Sequence, residues 1–269
     1  MKVIFLKIKH FYIKMQDILI TDIRYLLPCV LTWFYHRKIK KDIFLFKLKN
    51  PHSGKKASLY QHGKWKITNP QSILILHGLY SHPCVMQHLA KVAQKANIGS
   101  VFSLYVRYEE TNLNSHRFLI NQAINSIEKM QLDQGYPFKG IILVGHSMGA
   151  IEASYIAFVE NNKKILSVIS IAGRLKVVES VYRPCRESLK DALNKINKGV
   201  QSNPSLPLYQ IVGQRDWNAP LKSTVIRKKE GCYRIMEEGM HFNILFHQDI
   251  YSTLSEFLQK SSLKEKPNA

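Results

Sequence analysis

The spacing of apolar residues along this chain changes repeatedly, and each change marks an element. From Asp42 the alternation is strand-like: Ile43 to Leu48, a turn through residues 50–54, then Ala57 to Ile67, predicting an antiparallel pair that feeds a larger sheet. Short continuous apolar runs follow at Ile73–Leu76 and Ile141–Val144 and mostly apolar ones at Val101–Val106 and Ile165–Ile171, with Leu206–Val212 and Tyr233–Met236 completing the strands. Runs that are apolar on both faces read as buried strands of a parallel sheet. Between them lie helical patterns at about Pro83 to Ala96, His116 to Met130, Ala150 to Val159 and Ile250 to Gln259, the last amphipathic. Strands alternating with helices predict an α/β fold: a mostly parallel central sheet with helices on both faces.

Two stretches stand apart from this rhythm. Residues 1–41 mix aromatic and aliphatic side chains with Lys2, Lys7, Lys9 and Lys14, then run from Tyr25 to Tyr35 into the basic cluster His36–Lys41. That apolar run is about half the ~20 residues a spanning helix needs. It reads either as an interfacial segment on an anionic membrane or as a helix packed on the domain with a solvated basic face. Residues 174–200 are helical and basic, and read as a lid over the strand ends or as a crossover helix with a long loop. The domain proper spans 42–260, and 261–269 is a polar tail.

Charge adds to this picture. Among 269 residues there are 39 Lys and Arg against 19 Asp and Glu, a net charge of +20. Residues 1–70 hold 15 basic and 3 acidic side chains, so +12 sits in the first quarter and +8 in the other 199 residues. Such an excess favours anionic partners and says nothing about fold. No dedicated nucleic-acid motif accompanies it, so a membrane surface or an acidic substrate is the better expectation. Cys29, Cys84, Cys185 and Cys232 form no CxxC pair, which argues against a zinc site and a disulfide framework. Free thiols in a reducing compartment predict a cytoplasmic protein, peripheral at the inner membrane face if residues 1–41 are interfacial.

The chemistry centres on Gly145-His-Ser-Met-Gly149, between a buried strand and a helix. Glycine two residues either side of Ser147 permits a turn so tight that the serine hydroxyl projects above the sheet, as a nucleophile elbow requires. A serine hydroxyl is a poor nucleophile near neutral pH and needs a base, which in turn needs a group to fix its tautomer. Asp216 follows the strand Leu206–Val212 and His241 follows Tyr233–Met236, so both belong to loops on the rim that carries Ser147. Glu237 and Glu238 rival Asp216, and His247 and His146 rival His241; His146 is expected to point away from the site. The backbone N–H of Met148, at a helix N-terminus, and that of Leu79, after Gly78, are the expected oxyanion donors. No metal or cofactor is called for.

Together these residues resemble the α/β-hydrolase superfamily, and within it the lipase- and esterase-like serine hydrolases. The resemblance covers about Asp42 to Leu258 and rests on His77-Gly-Leu79, Gly145-His-Ser-Met-Gly-Ala150, the Gly213-x-x-Asp216 loop ending at Pro220, and the histidine loop at 239–241. It implies an α/β-hydrolase fold and hydrolysis of an ester or thioester through an acyl-enzyme, without cofactor or metal. Where lipases of this type often carry Gly-Thr-Pro-His, this chain has Ala172-Gly-Arg-Leu, which weakens the case for triacylglycerol as substrate. Tyr80-Ser81 replaces the glycine common after the HG pair, and serine at 147 argues against a dehalogenase, which needs a carboxylate there. The expected substrate is a lipid-like or hydrophobic acyl ester. The alternatives are a thioesterase or acyltransferase with the same triad, or an inactive hydrolase-fold protein that binds anionic membranes.

Overall fold

In the computed structural model the described residues are 43–49, 51, 56–63, 70–78, 86–106, 113–177, 187–241 and 243–262. They build one eight-stranded sheet: β1 (Ile43–Lys49), β2 (Lys56–His62), β3 (Gln71–Leu76), β4 (Ser100–Tyr105), β5 (Gly140–His146), β6 (Ile165–Ile171), β7 (Leu208–Gly213) and β8 (Tyr233–Met236). The order across the sheet is β1-β2-β4-β3-β5-β6-β7-β8. β2 pairs antiparallel with both β1 and β4, and every pairing from β4 to β8 is parallel. The antiparallel pair expected at the start therefore feeds the sheet through β4.

The alternation of side chains along the central strands supplies two separate cores. Leu74, Leu76, Ile141 and Leu143 face one layer of helices, while Ile73, Ile75, Ile142 and Val144 face the other. The first layer holds α2 (Leu113–Asp133), α3 (Met148–Phe158) and α4 (Glu187–Ser202). The second holds α1 (Gln87–Ala96) and α6 (Ile250–Ser262), where Phe257 stacks on Tyr209 with ring centroids 4.8 Å apart. Each fully buried Leu, Ile or Phe of these layers contributes roughly 1.5–3 kcal/mol. A four-residue helix, α5 (Leu221–Thr224), lies between β7 and β8.

Several boundaries differ from the sequence expectation for local reasons. β7 starts at Leu208 rather than Leu206 because Pro207 has no N–H to give the ladder; only its carbonyl pairs, with Val168 N. α2 begins at Leu113 and ends at Asp133, extending the pattern from His116 to Met130 by three residues at each end. Of the basic stretch 174–200, residues from 187 form α4, and its Leu193, Ile196 and Val200 are buried in the core rather than raised over the strand ends. Residues 1–41, residues 64–67 of the expected second strand and residues 263–269 of the tail lie outside the described residues. Among the described residues, no helix is long and apolar enough to cross a membrane.

The parallel register brings the strand ends to one rim. Leu76 pairs with Gly145, His146 with Ile171, Ile171 with Ile211, and Gly213 with Met236. Each strand thus delivers its following loop to the same edge of the sheet, where ligands bind in folds of this kind.

Candidate active site

β5 ends at His146, and the chain turns straight into α3 through Ser147. The turn is held by Ser147 N–H, which donates to the Ile171 carbonyl at 2.9 Å. Ser147 sits at φ 54°, ψ −117°, a conformation costly for any residue with a Cβ, of order 1–3 kcal/mol. Glycine neighbours make the turn sterically feasible. A Cβ on Gly145 would stand 2.5 Å from the Ala150 backbone, and one on Gly149 would stand 2.4 Å from the Leu76 carbonyl oxygen. The strain therefore falls on the serine, and the packing around it is what enforces the conformation.

Three side chains from separate loops meet at this turn. Ser147 Oγ lies 2.8 Å from His241 Nε2, and His241 Nδ1 lies 2.9 Å from Asp216 Oδ2. Asp216 is buried, and its other oxygen accepts from the N–H groups of Asn218 at 2.9 Å and Ala219 at 2.8 Å. Two backbone donors on one oxygen leave the second oxygen directed at the imidazole. The acid and histidine loops are also laced to each other: Gln214 N–H donates to Met236 O and Arg215 N–H to Gly239 O. Asn243 Oδ1 accepts from the N–H of Met240, bracing the histidine loop from its far side.

The rivals of these residues are placed elsewhere. Glu237 and Glu238 are exposed, and Glu238 pairs with Arg215 at 2.8 Å. His247 accepts from Asp249 N–H on the exposed side of its turn. His146 is fully buried beneath the site, its ring centroid 5.3 Å from that of His241. Its Nε2 donates to the backbone carbonyl of His241 at 2.8 Å. Burial, reinforced by the charge that His241 carries when protonated, lowers the His146 imidazole to about 3, so it stays neutral. The expectation that it points away from the site is incomplete: it is not the partner of Ser147, yet it holds the backbone of the residue that is.

The donor side of the site is built from the loop after β3. His77 is buried and stacks on Tyr105; its Nε2 accepts from Val106 N–H at 3.1 Å, so the ring proton is on Nδ1 and donates to Gly78 O at 2.7 Å. Gly78 is thereby fixed against the elbow. A Cβ there would lie 3.0 Å from His146 Nδ1 and 3.1 Å from Ser147 Cβ. Leu79 lies outside the described residues. Met148 opens α3, so its N–H is among the first-turn amides with no acceptor inside the helix.

His77 and His146 are the residues that sequence reasoning passed over as contributors. The available signal was a histidine at the end of an otherwise apolar strand, next to glycine, in both cases. Among the described residues, no three His, Cys, Asp or Glu side chains converge as a metal centre requires. Cys232 is a free, half-buried thiol in the turn before β8; the other three cysteines lie outside the described residues.

No family model matches this chain, and no curated protein does. Solved structures do. Est1E from Butyrivibrio proteoclasticus superposes with a TM-score of 0.60 at 14% identity, over 83% of this chain and 100% of its own. A Pyrococcus furiosus esterase gives 0.61 at 16% identity, over 83% and 92%. The thioesterase domain from the curacin biosynthetic pathway gives 0.52 at 16% identity, over 81% and 99%. At these identities the likeness is one of backbone architecture, and it agrees with the strand order and the elbow: the chain has the α/β-hydrolase fold.

Proposed function

We propose that the protein is a serine hydrolase that cleaves carboxylic esters through an acyl-enzyme. The observation that carries this reading is the unbroken relay from Ser147 Oγ through His241 to Asp216, at 2.8 and 2.9 Å. Ser147 attacks the ester carbonyl while His241 Nε2 accepts its proton. Asp216 fixes the Nδ1–H tautomer and stabilises the imidazolium that forms. The oxyanion of the tetrahedral intermediate is received by the N–H of Met148 and, in this reading, by that of Leu79. The alkoxide leaving group takes the proton back from His241, and water then repeats the sequence on the acyl-enzyme.

Support for an ester rather than another acyl substrate comes from the structural neighbours, several of which are esterases. The thioesterase neighbour keeps the thioester within the reading. A hydrophobic acyl group and peripheral contact with an anionic membrane are proposed from the basic, aromatic residues 1–41 and the net charge of +20. The test is turnover of a panel of aryl esters and matched thioesters of increasing acyl length. Hydrolysis by wild type that is abolished in Ser147→Ala supports the reading; equal rates in the two proteins refute it. Flotation with anionic vesicles, with and without residues 1–41, tests the membrane part separately: undiminished binding after the deletion removes that role from the segment.

A further inference from the structure

A second ligand site is assigned by a groove beside the acid loop. It has a volume of about 570 Å³ and lies between α5 and the sheet-edge strand β8. Leu221 and Ile235, each 38% exposed, form its apolar lip over the buried Val225. Lys176, Lys222 and Lys228 surround it, and among the described residues no carboxylate lines it.

Four described lysines elsewhere are each matched by an acid: Lys129 by Asp133, Lys164 by Glu128, Lys195 by Asp191 and Lys260 by Glu256. Among the described residues, the three lysines of the groove have no such partner. Three ammonium groups around one apolar surface favour an anion among them, and the surface itself favours burial against hydrocarbon. A ligand with a single negative head and an aliphatic chain satisfies both demands. The groove is also tied to the catalytic rim. Leu175 and Lys176 donate their N–H groups to Ser223 O, and α5 follows directly from the Ala219 whose N–H holds Asp216.

We infer that this groove binds an anionic amphiphile, its carboxylate or phosphate head among Lys176, Lys222 and Lys228 and its chain along Leu221, Val225 and Ile235. A carboxylate head is favoured in so far as the ester-hydrolase reading holds, since a fatty carboxylate is the acyl product of that reaction.

The test is calorimetric titration of the full-length protein with decanoate, decyl phosphate and decanol, each below its aggregation threshold. Saturable binding of decanoate or decyl phosphate is expected, with decanol weaker by about tenfold or more. Lys222→Glu/Lys228→Glu and, separately, Leu221→Asp are expected to weaken the anionic ligands by about tenfold. Lys91→Glu/Lys95→Glu, beside the groove between α1 and α6, changes them by no more than about twofold. The tighter of the two anionic probes identifies the head group. Absence of saturable binding, unchanged affinity in the Lys222/Lys228 variant, equal loss in the Lys91/Lys95 variant, or decanol binding as tightly as decanoate overturns the assignment. None of these results depends on turnover, so they are independent of whether Ser147 is a nucleophile.

Discussion

His146 Nε2 and the carbonyl oxygen of His241 are 2.8 Å apart, so the residue preceding the serine in the elbow holds the backbone of the histidine that contacts the serine. The bond crosses 95 residues of chain and is fully buried. It ties the end of β5 to the loop that follows the last strand. Because burial keeps His146 neutral, its donor role persists when His241 takes a proton.

Replacing His146 by Phe removes the donor while keeping a ring in the space. The expected result is a fall in kcat of about 10- to 100-fold, the loss typical of a misplaced catalytic group, with little change in KM. His146→Gln, which retains an N–H donor, is expected to recover part of the rate. Steady-state hydrolysis of an aryl ester measures both, and a Phe variant within about twofold of wild type removes the positioning role.

Gly78→Ala tests the donor side of the site. The added methyl meets His146 Nδ1 at 3.0 Å and Ser147 Cβ at 3.1 Å, so the loop after β3 must retreat from the elbow. Since loss of one oxyanion donor typically lowers the rate by about 10²–10³, turnover is expected to drop on that scale while the melting temperature changes little. Kinetics and a thermal melt on the same preparation separate the two effects.

The elbow serine is predicted to cost the fold stability. Ser147→Gly relieves the φ 54°, ψ −117° conformation, worth about 1–3 kcal/mol, and gives back about 0.5–1 kcal/mol through the greater freedom of glycine in the unfolded chain. Denaturant unfolding is therefore expected to find Ser147→Gly more stable than Ser147→Ala, with both inactive. A glycine variant less stable than the alanine one contradicts the strain at this residue.

Glu152, on α3, supplies a pH signature. It is fully buried, contacts Arg117 Nε at 2.9 Å, and that guanidinium lies 3.3 Å over the Tyr155 ring. Burial raises its carboxyl from 4.5 to about 7 against the pull of Arg117. The folded protein thus keeps a proton that the unfolded chain releases, so the stability from the neutral form is complete below about pH 4.5 and is lost as pH rises to about 7. Glu152→Gln lacks this loss. Its melting temperature relative to wild type is expected to climb from pH 4.5 to 7 and then level off; a difference that is flat across that window rules the titration out.

The fold and the three central side chains were legible because each rests on a local pattern. Ile141–Val144 followed by Gly145-x-Ser147-x-Gly149 matches the strand, tight turn and helix of a nucleophile elbow, and Asp216 and His241 each follow a strand of the same sheet, so register carries them to one rim. The supporting residues were not legible, because their roles depend on partners far along the chain. His146 and His77 read as strand-end residues until the His241 carbonyl and Val106 N–H are brought against them. Glu152 carries no signal in the local pattern; only the packing of α2 against α3, which brings in Arg117 from 35 positions away, explains a carboxyl with no exposure. The stretch 174–200 left open a lid or a crossover because composition does not say which helix face meets the core; in its described part Leu193, Ile196 and Val200 lie in the core.

The central claim is that Ser147 is a nucleophile primed by His241, and covalent labelling reads it most directly. Full-length protein is treated with a fluorophosphonate, and the adduct is located by peptide mass spectrometry. One adduct on Ser147 is expected, with none in Ser147→Ala and markedly slower labelling in His241→Ala. Folded wild-type protein that takes no label at Ser147, or a His241→Ala protein that labels as fast as wild type, contradicts it.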